Sequence, residues 1–447
     1  MTATADRYLA DFKAFSGNGA GSAPAWLKEI RENAIARFVE LGFPTTKQEE
    51  WRFTSVAPIA AAPFALAHGP RASLPITADV ERLSLGVGPR VVFVDGRYKA
   101  QLSTAVTLPR GVRAGSLAGA LGAGAVADIV REHLARHARW QESTFTALNT
   151  AFIADGAFVH VAAGVSLDRP IEIVYLSTGQ AGAPPPGPAV SHPRTLIVLE
   201  AGAHATIVEC YAALSAGVYW TNAVTEAVVG RDARLELFRV QREGAEGIQV
   251  ATTHSRQERD SYLALHPVTL GAALARHDVG TVLDGAGAEL ILNGLYLLSG
   301  AQHVDHHTVI DHAQPNCASH EFFNGVLAER AHGVFNGRII VRPGAQRTDS
   351  KQTNNNLLLS TEARADSQPQ LEIYADDVKC THGSTVGPID QTQLYYLRSR
   401  GLSAEAARNI LTYGFGAEIL GRMQHPDVRA QLDRLVRERL RGKEAQA

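Results

Sequence analysis

Four short strand-like segments between residues 205 and 292 recur at a nearly constant spacing. Ala205–Glu209, Ala233–Leu237, Ser261–Leu265 and Ala288–Leu292 begin 28, 28 and 27 residues apart. Each segment starts with a small residue and has an apolar residue at its third position. A repeat of this length predicts stacked coils that share one core, because a single coil is too small to bury its own apolar face. The evenly spaced strands of an ordinary β-sandwich are the alternative that this pattern leaves open.

The strand-rich region lies between two regions of helical pattern. The sequence predicts a mostly helical N-terminal region over residues 1–150, a β core over residues 151–388 and a C-terminal helical region over residues 389–447. The change near residue 151 is a change of hydrophobic period, from three and four residues to two. We therefore expect a mainly β protein with helices at both ends.

Helix signals support this division. Pro24 suits a first helical turn, and residues 26–39 then carry apolar side chains at three- and four-residue steps. A second helical stretch is predicted over residues 125–150. Near the C-terminus, Asp390–Arg400 predicts one helix, and Ser403 is a good N-cap for the next.

Composition excludes several classes of function. The 447 residues carry a net charge of −2, which gives no general attraction to nucleic acid or to an anionic membrane. No window approaches 18 uninterrupted apolar residues, and the first residues lack the profile of a secretory signal. The cysteines lie far apart in sequence and are odd in number: Cys210, Cys317 and Cys380. A disulfide framework is therefore not expected, and a reducing, cytoplasmic setting is favoured.

One thiol and one imidazole stand two positions apart near the end of the β core. Cys380 and His382 follow an alternating run from Leu371 to Lys379 that predicts a strand. Residues two apart on a strand point to the same face, so both side chains would project together. A sulfur and an imidazole suit iron, zinc or sulfur chemistry, but a closed metal centre normally needs four ligands. The pair is then half a site completed by a partner, or else a small buried residue and a core histidine.

A second cluster of titratable residues runs from His303 to His312. On a strand, His303, Asp305 and His307 would share one face and His306 would lie on the other. No fixed zinc spacing fits the cluster. With Cys317 and His320 just beyond it, the cluster has the residue types of a metal site. A structural role on a solvated β face is the alternative, and a β-helical carbohydrate lyase or hydrolase is the rival function.

Two further segments carry weaker signals. Asn354–Asn356 is typical of the amide-rich corners with which stacked strands satisfy turn backbones. The C-terminal helix pair carries more aromatic and apolar surface than a short cap needs, together with arginine, which is typical of protein interfaces. The alternative is that the pair packs on the end of the β core. The predicted partner-binding residues are Leu397, Arg398, Arg400, Ile410, Leu411, Tyr413 and Phe415.

Five ordered motifs resemble the SufB/SufD family of iron–sulfur cluster assembly. They are Gly333–Gly337, Ala345–Asp349, Asn356–Ser360, Glu372–Gly383 and Leu397–Gly401, and Glu50–Phe53 near the start is similar too. The match is densest from about residue 300 to residue 420. Lys379–Gly383 and the helical N-terminus resemble the branch of the family that pairs with a SufB-like paralogue.

The resemblance implies a fold, partners and a role. It implies a right-handed parallel β-helix between helical ends, pairing with a SufB-like paralogue, and docking of the C-terminal helix pair on a SufC-like ABC ATPase. Cys380 and His382 match positions at the subunit junction, where iron or a transient iron–sulfur cluster gathers ligands from both subunits. The branch is not an enzyme in its own right. Exposed β-helix strands would also permit a homodimer of the isolated chain.

Overall fold

A computed structural model describes residues 3–17, 23–67, 77–104, 108–179 and 187–441 of the protein. Of residues 3–5 and 441 only the backbone is considered. The helices are α1 (Ala3–Gly17), α2 (Ala25–Leu41), α3 (Ala57–Ala61), α4 (Thr77–Leu83), α5 (Leu117–Ala120), α6 (Ala125–His133), α7 (Thr144–Ala151), α8 (Gln391–Ser399), α9 (Ala404–Gly421) and α10 (Pro426–Arg441). None of these described helices has the length and apolar character that crossing a membrane requires.

The strands fill the middle of the chain. They are β1 (Ala65–Leu66), β2 (Arg90–Val94), β3 (Arg97–Tyr98), β4 (Val112–Ser116), β5 (Gly156–Val161), β6 (Ile171–Ser177), β7 (Ala189–Ser191), β8 (Arg194–Leu199), β9 (His204–Ala213), β10 (Tyr219–Val229), β11 (Arg234–Arg242), β12 (Ile248–Gln257), β13 (Tyr262–Thr269), β14 (Leu274–Leu283), β15 (Glu289–Leu298), β16 (His303–His312), β17 (Ala318–Leu327), β18 (His332–Val341), β19 (Asp349–Leu358), β20 (Arg364–Ile373) and β21 (Lys379–Pro388).

Strands from β8 onward alternate between two sheets. The even-numbered strands pair in parallel in the order β8, β10, β12, β14, β16, β18, β20, and the odd-numbered strands from β9 to β21 do the same in the second sheet. Each turn of the chain thus adds one strand to each sheet, which gives about seven turns of a parallel β-helix. The predicted β-helix is confirmed, and the β-sandwich alternative is wrong because neighbours within a sheet are two strands apart in sequence.

The sequence repeat marks one corner of this β-helix. Ala233, Ser261 and Ala288 are buried small residues at equivalent corners, and the residue before each has a positive φ (Asp232 58°, Asp260 55°, Gly287 76°). Gly and Asp adopt this left-handed conformation more readily than most residues. Strand register places Ala203, not Ala205, at the equivalent position of the preceding turn, because His204 pairs with Arg234. The first segment of the predicted repeat should therefore begin at residue 203, two residues earlier. The sequence pattern hides this error, because residues two apart on a strand point to the same face.

The N-terminal region contributes strands as well as helices. Strand β2 pairs in parallel with β6, and β4 pairs antiparallel with β5, so both sheets continue into residues before 150. The helical stretch predicted over residues 125–150 is divided into α6 and α7. Between these helices, the backbone N–H groups of Ala135, His137 and Ala138 donate to the carboxylate of Glu226 at 2.8–2.9 Å.

Glu226 also pairs with Arg194, and both side chains are fully buried. Burial alone would raise the pKa of Glu226, but the nearby Arg194 guanidinium lowers this pKa below its usual value. We expect Glu226→Ala to lower the free energy of unfolding by about 3–5 kcal/mol, because it leaves a buried arginine and three N–H groups unpaired.

Chemical denaturation of the full chain measures this loss. Glu142→Ala, which removes an exposed ion pair with Arg139, is the matched control and should cost less than about 1 kcal/mol. Because the folded pKa of Glu226 is depressed, its contribution is present at neutral pH and is lost as the pH falls through that pKa. Equal stability of the two variants at neutral pH would contradict the structural role of Glu226.

The C-terminal helices cover one outer face of the β-helix. Apolar residues of α9 and α10, among them Ile419, Leu432 and Val436, form one cluster with outward-facing residues of the odd-numbered strands. The predicted N-cap is confirmed, since the Ser403 side chain accepts a hydrogen bond from the backbone N–H of Ala406. Helix α8 precedes this layer and has no buried residue.

Candidate functional site

The Cys380–His382 pair lies on the last strand of the β-helix. The sequence predicted a single strand over the alternating run from Leu371 to Lys379, and this is wrong. Strand β20 ends at Ile373, and a turn leads to β21, which begins at Lys379. The pair therefore belongs to the odd-numbered sheet, whereas the run before it belongs mostly to the other sheet. Its two side chains still share a face, since they lie two residues apart within β21.

Strand register identifies that face as the inner one. Cys380 pairs with Ser350 and His382 pairs with Gln352. Ser350 and Gln352 are both buried, at 1% and 0% exposure. Cys380 is half-buried and packs against the main core of the β-helix, whereas His382 is exposed.

This end of the β-helix is open in the described chain. Strands β20 and β21 are the outermost strands of their sheets. Three large apolar residues are exposed there, namely Ile373 at 41%, Tyr374 at 61% and Val386 at 46%. Unpaired strand edges flanked by exposed apolar residues are suited to strand addition by another β-sheet.

The thiol of Cys380 is neutral in the isolated chain at neutral pH. Burial raises its pKa, and the nearby Asp349 carboxylate raises that pKa further, while the backbone N–H of Ser350 works in the opposite direction. A cation bound by this sulfur would therefore have to displace the thiol proton.

The β-helix interior changes character beneath the pair. The inward-facing residues in register with Cys380 are leucines in three earlier turns and serines in the two turns next to the pair. They are Leu235, Leu263, Leu290, Ser319 and Ser350. The residues in register with His382 follow the same pattern, with leucines in the same three earlier turns and then two polar residues. They are Leu237, Leu265, Leu292, Glu321 and Gln352. Only the two turns next to the pair are polar at these positions, a feature that sequence reasoning missed because it appears only once the register is known.

The buried polar groups form two short chains of hydrogen bonds. His312 Nε2 lies 2.8 Å from Ser319 Oγ, which lies 2.8 Å from Ser350 Oγ. Separately, Gln352 Nε2 donates to Glu321 Oε2 at 2.6 Å. Burial lowers the pKa of His312 to about 4 and raises the pKa of Glu321 to about 7.

The sequence predicted that Asn354–Asn356 forms a corner, and this is wrong. These residues lie within strand β19. The Asn354 amide donates to Tyr296 Oη at 3.3 Å, and the Asn356 amide donates to Asn354 Oδ1 at 2.7 Å. Their amides thus satisfy one another and a buried tyrosine inside the β-helix, because a polar interior needs internal hydrogen-bond partners.

The His303–His312 segment forms strand β16 and has the predicted alternation. His306 is buried on the inner side, while Asp305 is 1% exposed beneath the N-terminal region. Asp305 pairs with Arg276 and His307 and accepts a hydrogen bond from Thr54. Although burial opposes it, His307 and Arg276 hold the pKa of Asp305 well below its usual range.

Arg276 connects this cluster to the Glu50–Phe53 element. Its guanidinium lies 3.7 Å from the Trp51 ring centroid and donates to the Glu50 carbonyl oxygen. The cluster therefore fastens the N-terminal region to the even-numbered sheet. Asp305 is covered by these contacts, whereas a carbohydrate-cleaving groove would present its acidic group to solvent.

The predicted partner-binding residues divide into two groups. Arg398, Arg400 and Ile410 are exposed, whereas Leu397 and Leu411 are partly buried. Tyr413 and Phe415 pack against the layer that holds α9 and α10 on the sheet. The aromatic surface predicted for the helix pair includes Tyr395 and Tyr396 on α8, although neither was named as a partner-binding residue. Their side chains are 74% and 57% exposed and adjoin the exposed arginines.

Metal ligands are sparse in the described part of the chain. Those residues include no group of three or more His, Cys, Asp or Glu side chains placed to hold a metal ion. Cys210 and Cys317 are buried free cysteines. Cys380 is the partly accessible one, so a cation at Cys380 and His382 would need further ligands from another molecule.

Two family models match the chain. One, described as SUF system FeS cluster assembly, SufBD core domain, covers residues 179–415, and the other, described as SufBD protein N-terminal region, covers residues 2–173. An iron–sulfur cluster assembly SufBD family protein of Synechocystis sp. is 32% identical over 429 residues, which is 93% of this chain and 92% of that protein. The iron–sulfur cluster assembly protein SufD of Escherichia coli is 30% identical over 91% of this chain and 92% of that protein. SufD of Bacillus subtilis is 26% identical over 94% of this chain and 95% of that protein.

Proposed function

The chain belongs to the SufBD family of the SUF iron–sulfur cluster assembly system, and from this premise we propose that it is a SufD-like, non-catalytic scaffold subunit. It pairs with a SufB-like paralogue and binds a SufC-like ABC ATPase. Its cargo is iron or a nascent iron–sulfur cluster, which it holds only in part. The setting is cytoplasmic, where free thiols persist.

The placement of Cys380 and His382 carries this proposal. The two side chains stand on the inner face of the last strand, at an end of the β-helix that the described residues leave uncovered. A thiolate and an imidazole can supply two ligands to iron, and a partner that stacks on this end can supply the rest.

The open strands β20 and β21 favour a partner of the same fold. A parallel β-helix presents the same kind of strand edge at its own end, so two such ends can pair backbone to backbone. The exposed Ile373, Tyr374 and Val386 would then be buried at the junction. A SufB-like paralogue meets these requirements, and a second copy of this chain meets them in the isolated protein.

An enzymatic role as a β-helical lyase or hydrolase is less well supported. The residues that would carry it are occupied: Asp305 binds Arg276 and Thr54, and burial lowers the pKa of His303 to about 4 and that of His306 to about 3. No aromatic ladder along a groove accompanies these side chains among the described residues. We therefore propose that the cluster is structural.

Anaerobic co-expression with the SufB-like and SufC-like proteins of the same organism tests the scaffold role. We expect the three proteins to co-purify and to carry iron and acid-labile sulfide, measured chemically and by absorption. The same preparation without this chain should carry clearly less of both. Equal iron and sulfide with and without the chain would refute the proposed role.

A further inference from the structure

The two polar chains beneath the open end stop one turn short of Cys380 and His382. Ser350 is the last member of the first chain and pairs in register with Cys380, while Gln352 is the last member of the second chain and pairs with His382. Both inner positions are occupied by leucine three, four and five turns before the pair. Buried polar groups cost stability unless they are bonded, so the change from leucine to polar residues at these two inner positions, in only the two turns next to the pair, calls for a local use.

The direction of the first chain follows from His312. Burial lowers its pKa to about 4, so the ring is neutral at pH 7 and carries one N–H. Its Nδ1 is buried without a partner among the described residues, whereas Nε2 lies 2.8 Å from Ser319 Oγ. Because an unpaired buried N–H is more costly than an unpaired acceptor, the proton belongs on Nε2.

His312 then donates to Ser319, and Ser319 donates to Ser350. A hydroxyl has one proton, so the Ser350 proton is the one left without an acceptor within this chain of groups. The next side chain at that inner position is Cys380. The first chain thus ends in a hydrogen-bond donor beneath a sulfur.

The second chain ends in an acceptor. Glu321 Oε2 holds the Gln352 amide nitrogen at 2.6 Å, which fixes the amide so that Oε1 faces away. Gln352 Oε1 is buried and has no partner among the described residues. Gly337 faces this amide, and a Cβ there would lie 2.3 Å from Gln352 Nε2, so glycine at 337 leaves the room that the amide occupies.

We propose that Ser350 and Gln352 are positioning residues for the pair: the Ser350 hydroxyl donates to the Cys380 sulfur, and Gln352 Oε1 accepts the ring N–H of His382. A hydrogen-bond donor to a thiolate and a hydrogen-bond acceptor for an imidazole N–H both orient these ligands when they bind a cation. Gln352 would leave one ring nitrogen of His382 free as a ligand. This inference rests on the proposed ligand role of Cys380 and His382.

Cobalt(II) added anaerobically to the complex of the full chain with its SufB-like partner is the probe. We expect Ser350→Ala and Gln352→Met each to weaken cobalt binding by roughly 10-fold to 100-fold, the usual effect of losing an outer partner of a metal ligand. Ser350→Ala should also shift the sulfur-to-cobalt charge-transfer absorption, which a purely structural change would leave in place. Ser350→Thr keeps a hydroxyl donor and should bind cobalt as the parent does.

Two residues of strand β12, which lies four turns before the Cys380–His382 pair in the same β-helix interior, provide matched controls. Ser255→Ala breaks an equivalent buried hydroxyl pair, since Ser255 Oγ lies 2.8 Å from Thr281 Oγ1. Gln257→Met removes a fully buried amide whose Oε1 is likewise unpartnered among the described residues. Both controls should keep parental cobalt binding, with thermal unfolding measured for every variant.

The outcomes separate the two proposals. If Cys380→Ala removes the charge-transfer absorption but Ser350→Ala and Gln352→Met behave like their controls, the positioning role is wrong and the ligand role stands. Loss of binding in Ser350→Thr would also overturn the positioning role. Parental binding by both Cys380→Ala and His382→Ala would overturn the ligand role and the positioning role together.

Discussion

Replacing Cys380 or His382 with alanine is expected to remove most of the iron and sulfide from the anaerobically purified complex while the complex itself still forms. Each substitution deletes one of the two ligands that we propose for this chain, so loading should fall by more than the roughly 10-fold to 100-fold that loss of an outer partner costs. Iron and acid-labile sulfide per complex, measured on proteins matched for subunit ratio, report the effect.

The complex should survive because neither side chain holds the fold together. His382 is exposed, and Cys380 is half-buried on the outermost strand of its sheet. Backbone pairing and the exposed apolar residues Ile373, Tyr374 and Val386 supply the proposed contact with the partner. Assembly and loading are therefore separable measurements.

Two substitutions of the same chemistry serve as controls. Cys317→Ala removes a buried thiol that donates to the Gly285 carbonyl oxygen, and His320→Ala removes an exposed imidazole on the outer face of β17. Neither should change iron or sulfide per complex. If the Cys380 and His382 variants load as fully as these controls do, the ligand role has to be abandoned.

The β-helix could be predicted because its signals are local. A small residue at each corner and alternation of apolar residues within each strand are both written in short stretches of sequence. The registration of the turns is not local, since Ala203 and Ala205 differ by two residues and present the same face. Strand pairing across 30 residues decided between them.

The same limit applies to the site. Cys380 and His382 were identified from their two-residue spacing and from the family motif, although the strand that carries them begins later than the alternating run suggested. Ser350 and Gln352, which lie 30 residues before them, could not be found by spacing, because only pairing of β19 with β21 brings them together. Asn354–Asn356 was misplaced at a corner for a related reason: polar residues are typical of turns unless an interior offers them partners.

The second large effect concerns the ATPase. Replacing Tyr395 and Tyr396 together with alanine is expected to weaken binding of the SufC-like ATPase by roughly 30-fold or more, since exposed aromatic anchors often contribute about 2 kcal/mol or more to an interface. These rings are 74% and 57% exposed on α8, beside the exposed Arg398 and Arg400. No residue of α8 is buried, so the substitutions leave the core of the protein unchanged.

Point substitutions are a sharper test than removal of residues 390–420. Helix α9 covers the odd-numbered sheet through Ile419 and Leu420, and Tyr413 donates to Asp433 of α10. A deletion would therefore abolish ATPase binding but would also expose the sheet, and the two effects could not be told apart. Ile410→Asp adds a third surface change on α9, where the side chain is 48% exposed.

Calorimetric titration of the full chain with the purified ATPase measures the effect. Tyr374→Ala is the matched control, because this tyrosine is 61% exposed but lies at the open end of the β-helix. It should bind the ATPase as the parent does and should weaken pairing with the SufB-like subunit, while the Tyr395–Tyr396 variant should show the reverse. Undiminished ATPase binding by that variant and by Ile410→Asp would place the docking surface elsewhere, because the exposed side chains of α8 and α9 would then contribute nothing to it.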